Sequence, residues 1–166
     1  MISHWNKTEK ILIFNKITII SGGQSGTDRA ALDFALEHKI PCGGWCPRGR
    51  KAEDGYIPDH YPLKEANLES PQHRTKKNVD ESDGTLIIYI REPDEGTCFT
   101  LQYANEGKKP VYILKESDKI NSAEFSLWMD VNKIKVLNVA GPKESSDPGV
   151  YDFALKAMKQ LISGSS

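Results

Sequence analysis

The stretch ITIISGGQSGTDRAALDFAL, residues 17–36, places three glycines between a β-branched run and an amphipathic segment. The β-branched run predicts a strand over residues 16–20. The segment after the glycines predicts a helix over residues 28–39, with one apolar face formed by Ala31, Leu32, Ala35 and Leu36. Glycine inside a regular element costs roughly 0.5–1 kcal/mol relative to alanine. Gly22, Gly23 and Gly26 therefore predict a loop whose backbone bends sharply or lies close to another group.

The same alternation of strand and helix continues along the rest of the chain. Further strands are predicted at residues 40–45, 85–90, 111–114 and 135–141, with a shorter one within 61–66. Further helices are predicted at residues 70–82, 97–110, 122–132 and 148–162. The run TLIIYI is continuously apolar, which is typical of a strand covered on both faces. We therefore predict an α/β fold with a mostly parallel central sheet and helices on both faces.

Length and composition indicate an ordinary globular protein. The 166 residues favour a single domain, with a core over about 16–162, an N-terminal extension over 1–15 and a frayed tail over 163–166. A net charge of −1 gives no sign of nucleic-acid binding or of a membrane surface as a partner. Three cysteines provide no disulfide framework, and neither a signal peptide nor a long apolar stretch is evident. We expect a cytoplasmic protein.

The glycine loop is expected to bind an anion. In parallel α/β sheets, ligands bind beyond the carboxyl ends of the strands, and a helix N-terminus behind a glycine loop favours negative charge. Thr27 is placed to cap the helix, Asp28 either complements the helix dipole or reaches a ligand hydroxyl, and Arg29 offers a fork for phosphate or carboxylate. The loop matches neither GxGxxG nor GxxxxGK[ST], so the standard dinucleotide and Walker-A readings are not met.

Other strand ends carry small or polar residues that would meet the same edge. Gly96 and Thr97 follow one strand, and Asn138, Gly141 and Lys143 lie at the end of another, whereas Asp83 precedes its strand. The long loop 45–58 and the helix 70–82 add the cations Arg48, Arg50, Lys51, Arg74, Lys76 and Lys77. We expect some of these cations to line a cleft, with solvated surface as the alternative for the lysines.

Five segments of this chain resemble one known family. They are SGGQSGTDRAALDFAL, GGWCPRGRKAEDG, NVDESDGTLII, EGTCFTL and LNVAGPKESSDPGVY, in order between about residues 17 and 162. They are similar to the family named "putative molybdenum carrier proteins". That family belongs to a wider Rossmann-like group that includes the Lonely-Guy-type phosphoribohydrolases and the DprA-type domains. The resemblance implies a Rossmann-like three-layer sandwich.

The resemblance also implies a ligand and the residues that bind it. The implied ligand is the molybdenum cofactor, a phosphorylated pterin, or a nucleotide-like compound, with a molybdoenzyme as the recipient of a carried cofactor. The implied phosphate-facing loop consists of Gly22, Gly23, Gln24, Ser25 and Gly26. The implied pocket residues are Arg50, Glu53, Asp54, Asp83, Gly96, Thr97, Asn138, Gly141 and Pro142.

Two positions depart from the patterns of these relatives. Lys143 stands where many relatives carry arginine, which keeps the charge but loses the bidentate fork. Thr100 stands where the phosphoribohydrolase pattern needs a glutamate, and a hydroxyl cannot replace a carboxylic acid near neutral pH. N-glycosidic hydrolysis is therefore disfavoured unless Asp28, Glu53 or Asp83 replaces that glutamate.

Three functional hypotheses remain open at this point. The first is a carrier that binds a small anionic phosphorylated ligand. The second is an enzyme, such as a nucleoside phosphate hydrolase that uses Glu53, Asp54 or Asp83 as base. The third is a sensor of a nucleotide-like ligand.

Other chemistry is less well supported by the sequence. Cys42 and Cys46 are too few for a structural zinc site, so no metal site is expected. A lowered pKa of the Cys46 thiol beside Arg48 and Arg50 is a further hypothesis, as is stacking of Trp45 on a heterocycle. The partly apolar N-terminal segment could pack on a second copy in a homo-oligomer through Trp5, Ile11, Leu12 and Phe14.

Overall fold

The computed structural model describes residues 16–68 and 70–163. The expectations for the N-terminal extension, including Trp5, Ile11, Leu12 and Phe14, lie outside the described residues, as do residues 164–166. Ser163 ends the last helical turn.

A five-stranded parallel sheet forms the centre of the molecule, which confirms the α/β prediction. Its strands are β1 (Thr18–Ile20), β2 (Cys42–Gly43), β7 (Gly84–Tyr89), β8 (Val111–Lys115) and β9 (Val136–Ala140), in the order β2-β1-β9-β7-β8. Ile19 pairs with both Cys42 and Leu137, and Ile87 pairs with both Ile113 and Ala140. The order in which the chain adds strands reverses direction around β1, β9 and β7. The carboxyl ends of these strands therefore form the switch point where α/β proteins bind ligands.

Helices cover both faces of the sheet. They are α1 (Thr27–Glu37), α2 (Pro71–Glu81), α3 (Glu95–Glu106), α4 (Ser122–Val131) and α5 (Val150–Met158), and a π-helical turn, Lys159–Ser163, follows α5. Helix α1 packs against α5, and α2 packs against α3. None of the helices in the described residues is both long and apolar enough to cross a membrane.

The main core lies between the sheet and the helices. It includes the buried side chains of Ile19, Phe34, Leu86, Leu137 and Met158. A smaller cluster of Leu32, Cys46, Ile57 and Tyr61 lies beneath the long segment that follows β2. Buried apolar positions recur along β7, and Ala31, Leu32 and Ala35 of α1 are buried as the sequence periodicity predicts. Leu36, which was predicted on the same face, is 40% exposed, and Phe34 is buried instead.

The segment after β2 differs from the sequence prediction. The predicted strand 40–45 divides at Gly44, where φ is +124° and a Cβ atom would lie 2.2 Å from the Ser21 carbonyl oxygen. Beyond Gly44 the chain leaves the central sheet, and β3 (Trp45–Cys46) pairs with β6 (Lys64–Glu65). The predicted polar loop between them contains a small hairpin of β4 (Lys51–Ala52) and β5 (Gly55–Tyr56).

Candidate functional site

An open cleft of about 710 Å³ lies at the carboxyl edge of the sheet, beside α2 and α3. Four segments form its walls: the glycine loop with the start of α1, the first turns of α2, the first turns of α3 and the loop after β9. The lining residues include Gln24, Asp28, Gln72, Arg74, Asp94, Glu95, Gly96, Thr97, Phe99, Thr100, Gly141, Lys143 and Ser146. This volume lies within the range of small-molecule sites.

The N-terminus of α3 opens into the cleft. Asp94 caps the helix, because its Oδ1 accepts hydrogen bonds from the Thr97 backbone N–H at 2.9 Å and from the Thr97 hydroxyl at 2.7 Å. Its Oδ2 accepts a hydrogen bond from the Lys143 backbone N–H at 3.2 Å. Within the described residues, the N–H groups of Glu95 and Gly96 have no acceptor, and Gly96 is exposed. Free amides and the helix dipole favour an anion here, whereas the negative charges of Asp94 and Glu95 oppose one.

The glycine loop is mostly covered, contrary to the expectation that its amides face the ligand. The Arg74 guanidinium lies over Gly22, and the side chains of Leu63 and Ile57 lie over Gly23. The backbone at Pro142–Glu144 packs against Gly26. Because these glycines lack side chains, distant segments pack directly on their backbone. Of residues 22–26, Gln24 is the one that lines the main cleft.

Asp28 lines the cleft in a buried position. Its side chain is 5% exposed, and its Oδ2 lies 3.3 Å from Arg74 Nη1 and 3.3 Å from the Gln24 backbone nitrogen. Burial raises the pKa of Asp28 to about 6, although the positive charge of Arg74 acts in the opposite direction. This carboxyl group therefore gains or loses a proton near neutral pH, as a general acid or base must.

Arg50 does not line the cleft, and the structure gives it another role. It is 8% exposed, and its guanidinium donates hydrogen bonds to four backbone carbonyls. Nε donates to Ile57 at 2.9 Å, Nη2 to Pro58 at 2.7 Å and to Tyr61 at 3.0 Å, and Nη1 to Leu63 at 3.3 Å. Arg50 therefore holds the 57–63 segment in the conformation that covers Gly23.

Glu53 and Asp54, at the tip of the β4–β5 hairpin, also lie outside the cleft lining. The Glu53 carboxylate accepts short hydrogen bonds from the hydroxyls of Ser25 and Ser145. Partial burial raises the pKa of Glu53, but the hydrogen bonds from Ser145 and Ser25 outweigh burial and lower it overall. Asp54 pairs with Arg29 at 3.0 Å, and Arg29 also donates to the Gly23 carbonyl. Both carboxylates therefore attach the hairpin to the glycine loop.

Asp83 and Thr27 do not reach the cleft either. Asp83 accepts hydrogen bonds from the backbone N–H groups of Lys135 and Val136, at the amino end of the sheet and thus at the opposite edge. Thr27 donates to the Ile88 carbonyl at 3.1 Å and does not cap α1.

Asn138 belongs to a small chamber beneath Arg74 rather than to the main cleft. Its side-chain amide donates to the Thr85 hydroxyl at 3.3 Å. Of the sequence-predicted site residues, four besides Gln24 and Asp28 line the cleft: Gly96, Thr97, Gly141 and Lys143. Pro142 instead packs against Gly26 through its backbone.

Trp45 does not stack on the cleft. Lys77 Nζ lies 4.3 Å from its ring centroid, and Lys64 Nζ lies 5.5 Å away. Among the described residues, the aromatic side chain that lines the cleft is Phe99, which the sequence did not single out and which stacks on Tyr103. Among the candidate cations of α2, Arg74 reaches the cleft, whereas Lys76 lies over the Tyr103 ring.

The cysteines give no support for a reactive thiol or a metal site. Cys46 is fully buried, and burial raises the pKa of its thiol, so the hypothesis of a lowered pKa is wrong. Burial also raises the pKa of Cys42. In the part of the chain that the structure describes, no group of three His, Cys, Asp or Glu residues could hold a metal ion.

Asp94 and Glu95 are lining residues that the sequence reasoning missed. A signal for Asp94 was present, because Asp is among the residues preferred at the N-cap of a helix. The sequence predicts that this helix begins at residue 97, whereas it begins at Glu95, so Asp94 was not identified as its N-cap.

Fold and site together define an open parallel α/β protein with a polar cleft at the switch point of its sheet. The model of the circularly permutated YpsA SLOG family matches residues 19–162, and the chain belongs to this family. A similar solved structure is the crystal structure of "Putative molybdenum carrier protein" from Syntrophus aciditrophicus SB. It is 41% identical, with a TM-score of 0.83, over 89% of this chain and 96% of that chain. The family resemblance in the sequence is thereby confirmed. No curated protein matches the sequence.

Proposed function

We propose that this protein is a carrier that binds a small phosphorylated heterocycle, such as the molybdenum cofactor, in the cleft between α2 and α3. One observation carries the proposal: Glu95 and Gly96, whose N–H groups have no acceptor among the described residues, line a cleft of about 710 Å³. Lys143 lines the same cleft. A phosphate group at the N-terminus of α3 would accept hydrogen bonds from these amides and lie in the favourable field of the helix.

The opposite part of the ligand is proposed to be a flat ring. Phe99 lies in the second turn of α3, half-buried, and lines the cleft. The Phe99 ring can stack on a heterocycle. Gln72 and Ser70, at the start of α2, can form hydrogen bonds with the edge of that heterocycle. The solved relative carries the name of a molybdenum carrier, and the pterin of that cofactor combines such a ring with a phosphate.

Thr100 supports binding rather than N-glycosidic cleavage. Its hydroxyl donates to the Gly96 carbonyl at 2.9 Å, so it is engaged with the backbone of α3 itself. No carboxylic acid stands at this position to protonate a leaving base.

The proposal is tested with a matched pair of variants at Gly96. A Cβ atom at this position would lie 3.8 Å from its nearest neighbour, Asp94 Oδ1, so both Gly96→Ala and Gly96→Asp are expected to fold. An acidic side chain in the first turn also stabilises the helix. Guanosine monophosphate serves as the probe in titration calorimetry, because guanine and pterin share a fused aminopyrimidinone ring.

Gly96→Ala is expected to keep most of the affinity of the wild type. Gly96→Asp is expected to bind the monophosphate roughly tenfold more weakly or worse. A repulsion of about 1.4 kcal/mol between the new carboxylate and the phosphate is enough to lower the affinity tenfold. Gly107→Ala, at the other end of the same helix, is the remote control. Equal affinity of Gly96→Asp and the wild type would remove the N-terminus of α3 from the binding site.

Asp28 favours a second candidate function, an enzyme that processes a nucleoside phosphate. A buried carboxyl group in the cleft with a pKa of about 6 is suited to proton transfer. Incubation of the protein with nucleoside monophosphates, followed by chromatography, separates the candidates. If the wild type forms products and Asp28→Asn does not, the enzyme is supported. If the wild type binds the nucleotide without forming products, the carrier is supported.

A further inference from the structure

Arg74 separates the cleft from the glycine loop. Its side chain extends from α2 across Gly22, where a Cβ atom would lie 1.7 Å from Arg74 Nη1. It lines the main cleft on one side and the small chamber that contains Gly22 and Asn138 on the other. The guanidinium therefore occupies the position that an anion bound to the glycine loop would need.

The hydrogen bonding of Arg74 is incomplete in this state. Arginine carries five N–H donors. Among the described residues, its one hydrogen bond runs from Nη1 to Asp28 Oδ2, at a long 3.3 Å. Nε is buried and has no hydrogen-bond partner in the part of the chain that the structure describes. A buried donor without a partner is costly, so this guanidinium has the capacity and the energetic reason to take another acceptor.

The partner of Arg74 is equally poorly placed. Asp28 is almost fully buried and faces Arg74 from α2, the Gln24 backbone from the glycine loop and the negative charge of Asp94 from the start of α3. Burial and Asp94 disfavour its charged form, and Arg74 with the Gln24 N–H favours it. The pair is therefore held together less tightly than an ion pair between fully charged, well-bonded groups.

We propose that Arg74 is the residue that selects ligands by their phosphate, and that it exchanges Asp28 for the phosphate when the ligand binds. The inference rests on the proposed function, since it names the group that recognises the anionic part of the same ligand. A phosphate offers several acceptors to the planar fork of arginine, whereas Asp28 accepts one long bond. Movement of the guanidinium toward the cleft uncovers the backbone of Gly22. Asp28, left without its cation, takes up a proton from solvent.

Four variants test the exchange by titration calorimetry with guanosine monophosphate and with guanosine. Arg74→Met is expected to weaken binding of the monophosphate at least tenfold and to leave binding of guanosine unchanged. Arg74→Lys keeps the charge without the fork and is expected to lie between Arg74→Met and the wild type. Lys76→Met, on the same helix but over the Tyr103 ring, is the control and is expected to bind as the wild type does.

Asp28→Asn separates ligand selection from a purely structural ion pair. Asparagine offers Arg74 a weaker, neutral acceptor, so the exchange becomes easier and affinity for the monophosphate is expected to rise severalfold. Calorimetry at pH 7 in buffers of different ionisation enthalpy is expected to show more proton uptake on binding by the wild type than by Asp28→Asn, in which only the phosphate, with a second pKa of about 6, exchanges a proton. A structural ion pair would instead give weaker binding in both Arg74→Met and Asp28→Asn.

The outcomes distinguish this inference from the proposed function. If the wild type binds the monophosphate and Arg74→Met binds it equally well, the role of Arg74 is overturned and the proposed function stands. If the wild type binds neither guanosine monophosphate nor inorganic phosphate, both are overturned. If the circular dichroism spectrum shows that Arg74→Met fails to fold, Arg74→Lys and Asp28→Asn decide the question.

Discussion

Replacement of Asp28 by asparagine is expected to change how the stability of this protein depends on pH. Asparagine is isosteric, and its Oδ1 can accept the same hydrogen bonds from Gln24 and Arg74. Burial raises the pKa of Asp28 from 3.8 to about 6 in the folded protein. Between these values the native state retains a proton that the unfolded chain has released. Stability of the wild type therefore contains a contribution that falls as pH rises through this window.

The magnitude follows from the two pKa values. Each pKa unit corresponds to about 1.36 kcal/mol, so the rise from 3.8 to about 6 corresponds to about 3 kcal/mol. Asp28→Asn removes this contribution. The free energy of unfolding of the variant minus that of the wild type is expected to increase by about 2 kcal/mol between pH 4 and pH 7.5, because at pH 4 the carboxyl group of the unfolded chain is already more than half ionised.

Urea unfolding followed by tryptophan fluorescence at several pH values measures this difference directly. Asp152→Asn, at an exposed position in α5, is the control and is expected to give a nearly constant difference. A constant difference for Asp28→Asn, or one that decreases as pH rises, would show that the carboxyl group is not held in a desolvated site.

Three further predictions concern the segments that hold the site. Arg50→Met leaves four loop carbonyls without their donor and is expected to lower the free energy of unfolding in urea by about 3 kcal/mol or more. Arg48→Met, at an exposed position, is the control and is expected to change it little. Equal effects of the two variants would contradict the role of Arg50. Gly141→Ala places a Cβ atom 2.2 Å from the Ile88 carbonyl oxygen and is expected to cost about 1–3 kcal/mol, and a neutral effect would refute the close approach. The Tyr151 hydroxyl donates to Asp33 at 2.6 Å, and burial together with this contact raises the pKa of Tyr151 to about 12. Absorbance titration is expected to show a tyrosine that ionises at lower pH in Asp33→Asn, and an unchanged curve would exclude the contact.

The fold and the position of the cleft could be predicted because they follow from local patterns. Alternating apolar strands and amphipathic helices specify a parallel α/β sheet, and parallel strands bring their carboxyl ends to one edge. Gly96, Gly141 and Lys143 follow strands and do lie at that edge. Their contact with a ligand stays a prediction.

The roles of the charged residues could not be predicted, because they depend on partners far away in the chain. Arg50 looks like a free cation in the sequence, yet its acceptors are backbone carbonyls, which every residue carries and no pattern reveals. The cover over Gly22 comes from α2, more than forty residues away. Spacing places a glycine loop at the right edge but does not show what packs on it.

Amide chemical shifts of the isotopically labelled protein during titration with guanosine monophosphate test the central claim most directly. At 18.6 kDa, a monomer is well suited to this measurement, and each amide of the cleft reports separately. The largest shifts are expected at Glu95, Gly96, Thr97 and Lys143, with smaller ones at the Gly107 end of α3. Shifts confined to another surface, or none at millimolar ligand, would contradict an anion site at the N-terminus of α3.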